Sequence, residues 1–316
     1  MTQLLLAALL QAGGGPILAQ PPALPTHPRG TLVAHIPLGA RPYGVAVSPW
    51  NVVYVTQLDA ASLARIGLRT RRTLKSIPVG RVPTGLTFST GGARSYVANQ
   101  FSQSISVVYF PGDSQGREIP VPGDPFFAAL ARDNRRLLVT TNVDSVFVID
   151  LDSLTVRGVV GLPGAGATIT FDPPGARAYV SVPDAGVVSE LDMASLRELR
   201  RFAVGQRPQG LAVSPDGREL YIADEREHVV KIWDLRRGTL LTGVALDGPA
   251  WDLQLTPDST QLYVGLLDGA IQIVDRADRL VVRTVQTGGR PRRIAFDRSG
   301  TTAVVANEAG WVDILR

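Results

Sequence analysis

The chain has 316 residues, 45% of them hydrophobic and 19% charged, which is a globular composition and excludes a disordered or solvating chain. It contains no cysteine, so disulfides, thiolate metal sites, iron–sulfur clusters and cysteine nucleophiles are excluded. The net charge of +4 permits contact with anionic surfaces, but a charge this small does not by itself indicate nucleic-acid binding.

Residues 1 to 29 are interpreted as a signal-peptide-like leader and a Pro-rich linker. An apolar run from Leu4 to Leu10 is followed by small residues up to Ala19 and by several prolines before Arg29. The pattern resembles an export signal without the usual basic start, and an unstructured tail is the alternative. We therefore expect an exported protein, in the periplasm, at the cell surface or secreted. No other segment approaches the roughly 18 apolar residues of a membrane span, so none is expected.

Beyond the leader, one pattern recurs seven times. The matching positions are spaced by 41 or 42 residues, and they are Pro42, Pro83, Pro125, Gly166, Pro208, Ala250 and Pro291. A period this constant is typical of a repeat architecture, in which each unit packs against its neighbours.

Each repeat predicts four antiparallel strands. In the fifth copy these are GLAVS, ELYIAD, HVVKIWDL and TLLTGVAL, between residues 210 and 246. The first two are joined by Ser-Pro-Asp-Gly, a sequence suited to a tight turn. The second strand recurs as VVYVTQ at 52 to 57, and the third as SVFVIDL at 145 to 151. Four strands per unit favour a β-propeller over a sandwich, because each sheet then buries both faces against neighbouring sheets.

The two ends of the chain predict how the ring closes. The seventh copy ends after its third strand, at Arg316, whereas GTLVAHIPLG at 30 to 39 matches the fourth strand of other copies, such as 74 to 80. Pairing of this first strand with the last one removes an exposed edge. We therefore expect an all-β, seven-bladed propeller over residues 30 to 316, closed 3+1 by the N-terminal strand.

The repeats are similar to the YVTN family of bacterial β-propeller repeats. The segments PYGVAVSPWNVVYVTQ from residue 42 and PQGLAVSPDGRELYIADEREHVVKIWDL from residue 208 carry most of the family pattern, and SYVANQFSQSISVV from residue 95 carries its middle. The resemblance covers residues 30 to 316. It implies a seven-bladed propeller of a kind that is often exported or surface-associated and commonly has no assigned reaction. Related-looking propellers include lactonases and haem-binding domains.

The sequence offers no recognisable cofactor or metal site. The histidines are His27, His35 and His228, far apart in the repeat pattern, and the methionines are Met1 and Met193. Metal ligation needs several ligands at one point, and haem needs an axial ligand, so neither is expected. The nucleophile-elbow, Walker and zincin motifs are absent from the sequence. No catalytic residue is assigned, which favours a protein that is not an enzyme.

Acidic residues recur where the third strand ends, at Asp150, Asp192, Asp234 and Asp275. They are either paired carboxylates or turn residues that bond local backbone N–H groups. Because the same position repeats around the ring, we interpret them as turn residues.

Candidate binding residues lie on the face formed by the loops from fourth strand to next first strand and from second to third strand. We call this the loop face. The candidates share arginine or aromatic side chains, and they are Arg41, Tyr43, Arg81, Phe126, Arg207, Trp251, Arg290 and Arg292. They form either an anion site with stacking rings or ordinary blade packing with paired arginines.

Three functions remain open. The favoured one is an exported, non-catalytic, monomeric scaffold that recognises a protein, polysaccharide or other anionic ligand on the loop face. A lactonase-like hydrolase is the second, and its candidate carboxylates are Asp184, Asp224 and Glu308. Nucleic-acid binding is the third, through an arginine crescent that comprises Arg41, Arg81, Arg290 and Arg292.

Overall fold

The computed structural model of the chain describes residues 29 to 316, so the leader interpretation lies outside the described residues. The described part forms seven four-stranded antiparallel sheets, and no helix in it is long and apolar enough to cross a membrane. The fold is therefore all-β.

The strands follow the repeat. The inner strands are β2 (Pro42–Val47), β6 (Pro83–Phe88), β10 (Pro125–Leu130), β14 (Ile169–Phe171), β18 (Pro208–Val213), β22 (Ala250–Leu255) and β26 (Pro291–Phe296). The second strands are β3 (Val53–Gln57), β7 (Arg94–Asn99), β11 (Arg136–Thr141), β15 (Arg177–Val182), β19 (Glu219–Asp224), β23 (Gln261–Leu266) and β27 (Ala303–Asn307). The third strands are β4 (Ser62–Gly67), β8 (Ser104–Tyr109), β12 (Ser145–Asp150), β16 (Val187–Asp192), β20 (Val229–Asp234), β24 (Ala270–Asp275) and β28 (Trp311–Leu315). The outer strands are β5 (Arg72–Pro78), β9 (Ser114–Pro120), β13 (Thr155–Gly161), β17 (Arg197–Ala203), β21 (Thr239–Ala245), β25 (Leu280–Gln286) and β1 (Leu32–Pro37). Short 3-10 helices span Gln100–Ser102 and Pro183–Ala185.

The seven blades, numbered in the order of their inner strands, close into a ring. Each inner strand contacts those of both neighbouring blades, and β26 of blade 7 contacts β2 of blade 1. An apolar cluster fills each interface, for example Tyr54, Leu63, Ile77 and Val97 between blades 1 and 2. The blades therefore stabilise one another, as the repeat predicts.

The N-terminal strand completes blade 7. β1 pairs antiparallel with β28, from Leu32 opposite Leu315 to Pro37 opposite Trp311. Ile36 is buried like the matching residue of every other outer strand, and these residues are Ile77, Ile119, Val160, Phe202, Val244 and Val285. β1 thus joins the ring through both the hydrogen-bond ladder and apolar packing.

Hydroxyl side chains link one blade to the next. Thr56 of β3 accepts the N–H of Gly44 at 2.7 Å and donates to the carbonyl of Thr84 in the next blade at 2.8 Å. Ser181 of β15 donates in the same way to the carbonyl of Gln209, at 2.6 Å. These bonds hold the inner strands, and thus the loops that precede them, in fixed positions.

The recurring acids at the ends of the third strands are turn residues, as predicted. Asp150, Asp192, Asp234 and Asp275 each accept a backbone N–H from the turn that follows. They stabilise the reversals into the outer strands.

A buried carboxylate lies in the closing blade. Asp313 of β28 accepts hydrogen bonds from His35 of β1 at 2.6 Å, from the Trp311 indole at 2.8 Å and from the Asn307 amide at 3.0 Å. Burial raises the pKa of the Asp313 carboxyl to about 6, although these three donors oppose the shift.

We expect Asp313→Asn to remove part of the pH dependence of stability. A carboxyl whose pKa is higher in the folded protein binds a proton more readily there, so stability should fall as pH rises from about 4 to 6. Two pKa units correspond to at most about 3 kcal/mol. Urea unfolding across this range should show the wild-type protein losing stability relative to the variant. Parallel pH profiles of the two proteins would contradict the assignment.

Candidate functional site

The loop face is built around two successive positions of the inner strands. Six blades place a side chain larger than alanine at the first of them, and the residues around the ring are Tyr43, Thr84, Phe126, Ala167, Gln209, Trp251 and Arg292. The next position holds Gly44, Gly85, Phe127, Thr168, Gly210, Asp252 and Arg293. Gly44 is required because a Cβ there would lie 2.1 Å from the Thr84 carbonyl oxygen.

Arg293 closes the central channel. Its Nη1 donates to Asp252 Oδ1 of blade 6 at 2.9 Å and to Thr168 Oγ1 of blade 4 at 3.0 Å. Its guanidinium carbon lies 4.6 Å from the ring centroid of Phe127 in blade 3. The Arg293 side chain therefore contacts three other blades and spans the central channel.

The Arg293 and Asp252 pair is buried, with 6% and 1% of the residues exposed. Asp252 also accepts the N–H of Ile294 at 3.0 Å. Burial raises the pKa of the Asp252 carboxyl, and the charge of Arg293 together with this N–H opposes the rise. An ion pair as enclosed as this one depends on both partners.

Arg292, the residue before Arg293, contacts aromatic rings of two other blades. Its guanidinium carbon lies 4.4 Å from the Trp251 ring centroid and 5.4 Å from that of Tyr43. Its Nε donates to Glu308 at 2.6 Å, and the other Glu308 oxygen binds Arg41. Burial raises the pKa of Tyr43 to about 12. For Glu308 burial would raise the pKa, but hydrogen bonds and charges from both arginines lower it below the usual value.

Five of the eight residues that the sequence singles out therefore meet in one group, since Phe126 packs edge-on against Tyr43 at 5.9 Å between ring centroids. The members are Arg41, Tyr43, Phe126, Trp251 and Arg292. We call them the mouth cluster.

The other three arginines are not members of the mouth cluster, although Arg207 lines a cavity together with Phe126 and Trp251. Arg207 donates to Glu225 and to Asp184, both at 2.9 Å. Arg81 donates to the carbonyl of Phe101 at 2.9 Å. Arg290 is exposed, and its backbone N–H donates to Asn307 Oδ1 at 2.8 Å. Among residues 29 to 316, neither Arg81 nor Arg290 forms a salt bridge.

The carboxylates considered for hydrolysis are each engaged. Asp184 binds Arg207, and Glu308 binds two arginines. Asp224 is fully buried, where it accepts the N–H of Gln206 at 3.0 Å and lies 3.4 Å from Lys231 Nζ. Within the described part of the chain, no group of three or more His, Asp or Glu residues could hold a metal ion.

A cavity of about 150 Å³ opens beside the mouth cluster. Its lining combines two aromatic rings, several small residues and four polar side chains, and comprises Phe126, Asn142, Ala165, Gly166, Ala167, Pro183, Asp184, Arg207, Gln209 and Trp251. At the opposite end of the ring, a wider cavity of about 580 Å³ is lined mostly by strand ends and turns, among them Val47, Leu86 and Phe296. We prefer the loop face because loops held by a rigid scaffold are the usual place of binding sites, and because the mouth cluster lies there.

Two features of the loop face escape the sequence analysis. One is the Arg293 and Asp252 pair. Its only signal in the sequence is that both residues stand at a repeat position where other copies have glycine. The other is an exposed apolar pair, Phe101 at 57% and Val143 at 46% exposed, on the second-to-third loops of blades 2 and 3. Strand patterns do not show which loop residues reach solvent.

Two polar atoms near the channel are buried without a partner among the described residues, Trp251 Nε1 and Arg293 Nε. An unsatisfied buried donor costs about 1–3 kcal/mol.

Comparison with known proteins agrees with this architecture. No family model matches the chain. The chain is 23% identical to the "Uncharacterized protein YncE" of Salmonella typhimurium over 188 residues, which is 57% of the chain. It is 24% identical to "Antigen Lp49" of Leptospira interrogans over 166 residues, which is 50% of the chain. These matches span 52% and 36% of those proteins. Among solved structures, Kuenenia stuttgartiensis hydrazine synthase superposes with a TM-score of 0.80 at 19% identity, covering 91% of this chain and 98% of that one. The chain thus has the seven-bladed propeller fold and distant similarity to YncE and Lp49.

Proposed function

We propose that the protein is a non-catalytic scaffold whose loop face binds a partner protein. The observation that carries this proposal is the exposure of Phe101 and Val143 on a rigid, closed ring. Gln103, in the same loop as Phe101, approaches Asp124 Oδ1 at 3.5 Å, and the Asn142 N–H donates to the Asp124 carbonyl at 3.2 Å. The two apolar side chains therefore belong to one surface.

The residues around this surface suit a protein interface. Aromatic and arginine side chains dominate the binding energy of such interfaces, and Arg81 donates to the carbonyl of Phe101 itself. The inner strands fix the loops through inter-blade hydrogen bonds, so little order has to be gained on binding.

The charges of the loop face favour protein over nucleic acid. Arg41 is bound by Glu308 and approached by Asp59 at 3.5 Å, and Arg207 lies between two acids. A phosphate backbone would meet these carboxylates as well as the arginines. The engaged state of the three candidate carboxylates supports binding over hydrolysis.

We also propose that the protein is an exported, divergent YVTN-type propeller. The leader-like residues 1 to 19 and the quoted repeat motifs support this, and the similarity to YncE and Lp49 is compatible with it. Cell fractionation, together with N-terminal sequencing of the recovered protein, tests the export proposal.

The partner is tested by capture from the fraction that contains the protein. Phe101→Ser with Val143→Ser should abolish capture of the partner, because both anchors lose their apolar surface. Leu280→Ser with Val282→Ser is the matched control, since these outer-strand residues are 63% and 52% exposed. The control should capture the same protein as the wild type. Equal capture by the loop-face variant, or loss in the control alone, would contradict the proposal.

A further inference from the structure

The cavity beside the mouth cluster exists because blade 4 departs from the repeat. Where the six other blades place proline or alanine followed by a larger side chain, blade 4 has Gly166 and Ala167, and its inner strand β14 begins only at Ile169. The preceding Gly164 and Ala165 are small as well. The missing side chains leave space that neighbouring blades do not fill.

The vacant space has the dimensions of one six-membered ring. A cavity of about 150 Å³ is large enough to hold benzene, so a pyranose, which carries hydroxyl groups around its ring, fits with part of those groups outside the open side of the cavity. Its walls include the rings of Phe126 and Trp251, and its floor includes Ala167, of which 5% is exposed. The guanidinium of Arg292, 4.4 Å from the indole centroid, fixes the Trp251 wall. The cavity is thus shaped before any ligand arrives.

The polar lining is balanced in charge and mixed in hydrogen-bonding character. Arg207 donates to both Asp184 and Glu225, so its positive charge is already compensated. An anion would gain little there and would approach the Asp184 carboxylate, whose side chain is 71% exposed. Asn142 supplies an exposed amide that both donates and accepts, and Gln209, whose amide nitrogen already donates to Glu225 at 2.7 Å, adds a carbonyl oxygen and a second N–H.

We propose that this cavity binds one ring of a neutral saccharide. A sugar hydroxyl donates and accepts at once, which matches a lining that offers both roles. The C–H face of the same ring packs on aromatic side chains, which matches Phe126 and Trp251. The exposed Asp184 rim leaves the cavity open to the loop face, so a longer glycan continues outward. The cavity borders the Phe101 and Val143 surface at Asn142, which lines the cavity and directly precedes Val143.

The proposal is tested by filling the cavity. Glucose, galactose, mannose and N-acetylglucosamine are titrated separately into the full chain, with sodium acetate as the anionic comparison, and binding is followed by calorimetry. At least one sugar should bind with a Kd of about 1 mM, as a single ring allows. Ala165→Met should weaken that binding at least about tenfold, because its side chain occupies the ring's space.

Ala185→Met is the matched control, since Ala185 is an exposed residue of the same blade and does not line the cavity. It should bind as the wild type does, and thermal melting should show both variants folded. No binding of any of these sugars up to about 50 mM would overturn the proposal, as would unchanged binding by Ala165→Met or tighter binding of acetate than of every sugar. None of these results depends on partner capture, so this site and the proposed protein interface are judged independently.

Discussion

Replacing Arg293 with methionine should lower the free energy of unfolding by about 3–5 kcal/mol, because Asp252 would be left as an unpaired buried charge. The loss should be larger than that expected from the missing hydrogen bonds alone, since Asp252 is 1% exposed and cannot recover hydration. Urea unfolding of the purified protein measures the change.

A double substitution distinguishes the effect of the unpaired charge from the effect of lost packing. Arg293→Met combined with Asp252→Leu removes both charges, so most of the lost stability should return. Arg237→Met is the matched control, because Arg237 forms a 3.5 Å pair with Asp234 but is 75% exposed, and its loss should cost no more than about 0.5 kcal/mol. If Arg293→Met behaved like Arg237→Met, Arg293 would not hold the centre of the ring.

The sequence predicts the ring and its strands well, because both depend on local signals. In the fifth copy the predicted ELYIAD strand is β19, and predicted HVVKIWDL exceeds β20 by one residue at each end. The ends of each strand are set by turn residues and by alternating apolar positions that lie within a few residues of them in the sequence. The repeat then extends the same strand prediction to every blade.

The candidate site is predicted less completely, because its contacts join distant repeats. Arg293 and Thr168 are 125 positions apart and meet only because the ring closes. Arg41 and Glu308 are 267 positions apart, so their pairing, which reduces the charge of the arginine crescent, also depends on closure. A repeat pattern shows which positions are equivalent, but not which side chains from different blades meet across the axis.

The glycine position of the inner strands explains why the centre differs between blades. Gly210 keeps its strand close to the next blade, since a Cβ there would lie 2.7 Å from the Leu253 nitrogen. Blades without glycine at this position supply Phe127, Thr168, Asp252 and Arg293, and the Arg293 side chain contacts the other three. Positions that depart from the repeat therefore produce the features that distinguish this propeller, namely the Arg293 contacts across the channel and the cavity at blade 4.

Removal of β1 should have the largest effect of all on folding. A chain that begins at residue 40 lacks Ile36, which is 1% exposed, and leaves the backbone of β28 unpaired along one side. The loss should be at least about 5 kcal/mol, comparable with the whole stability of many domains, so the cooperative thermal transition should disappear and the open edge should promote aggregation. A chain that begins at residue 29 is the matched control and should melt cooperatively.

A synthetic peptide of residues 29 to 40 should restore the transition to the shortened chain by pairing with β28. The same peptide with Ile36→Asp should not restore it, because a carboxylate cannot enter the apolar cluster between blades 7 and 1. Equal melting of the two chains without peptide would show that the ring does not depend on its N-terminal strand.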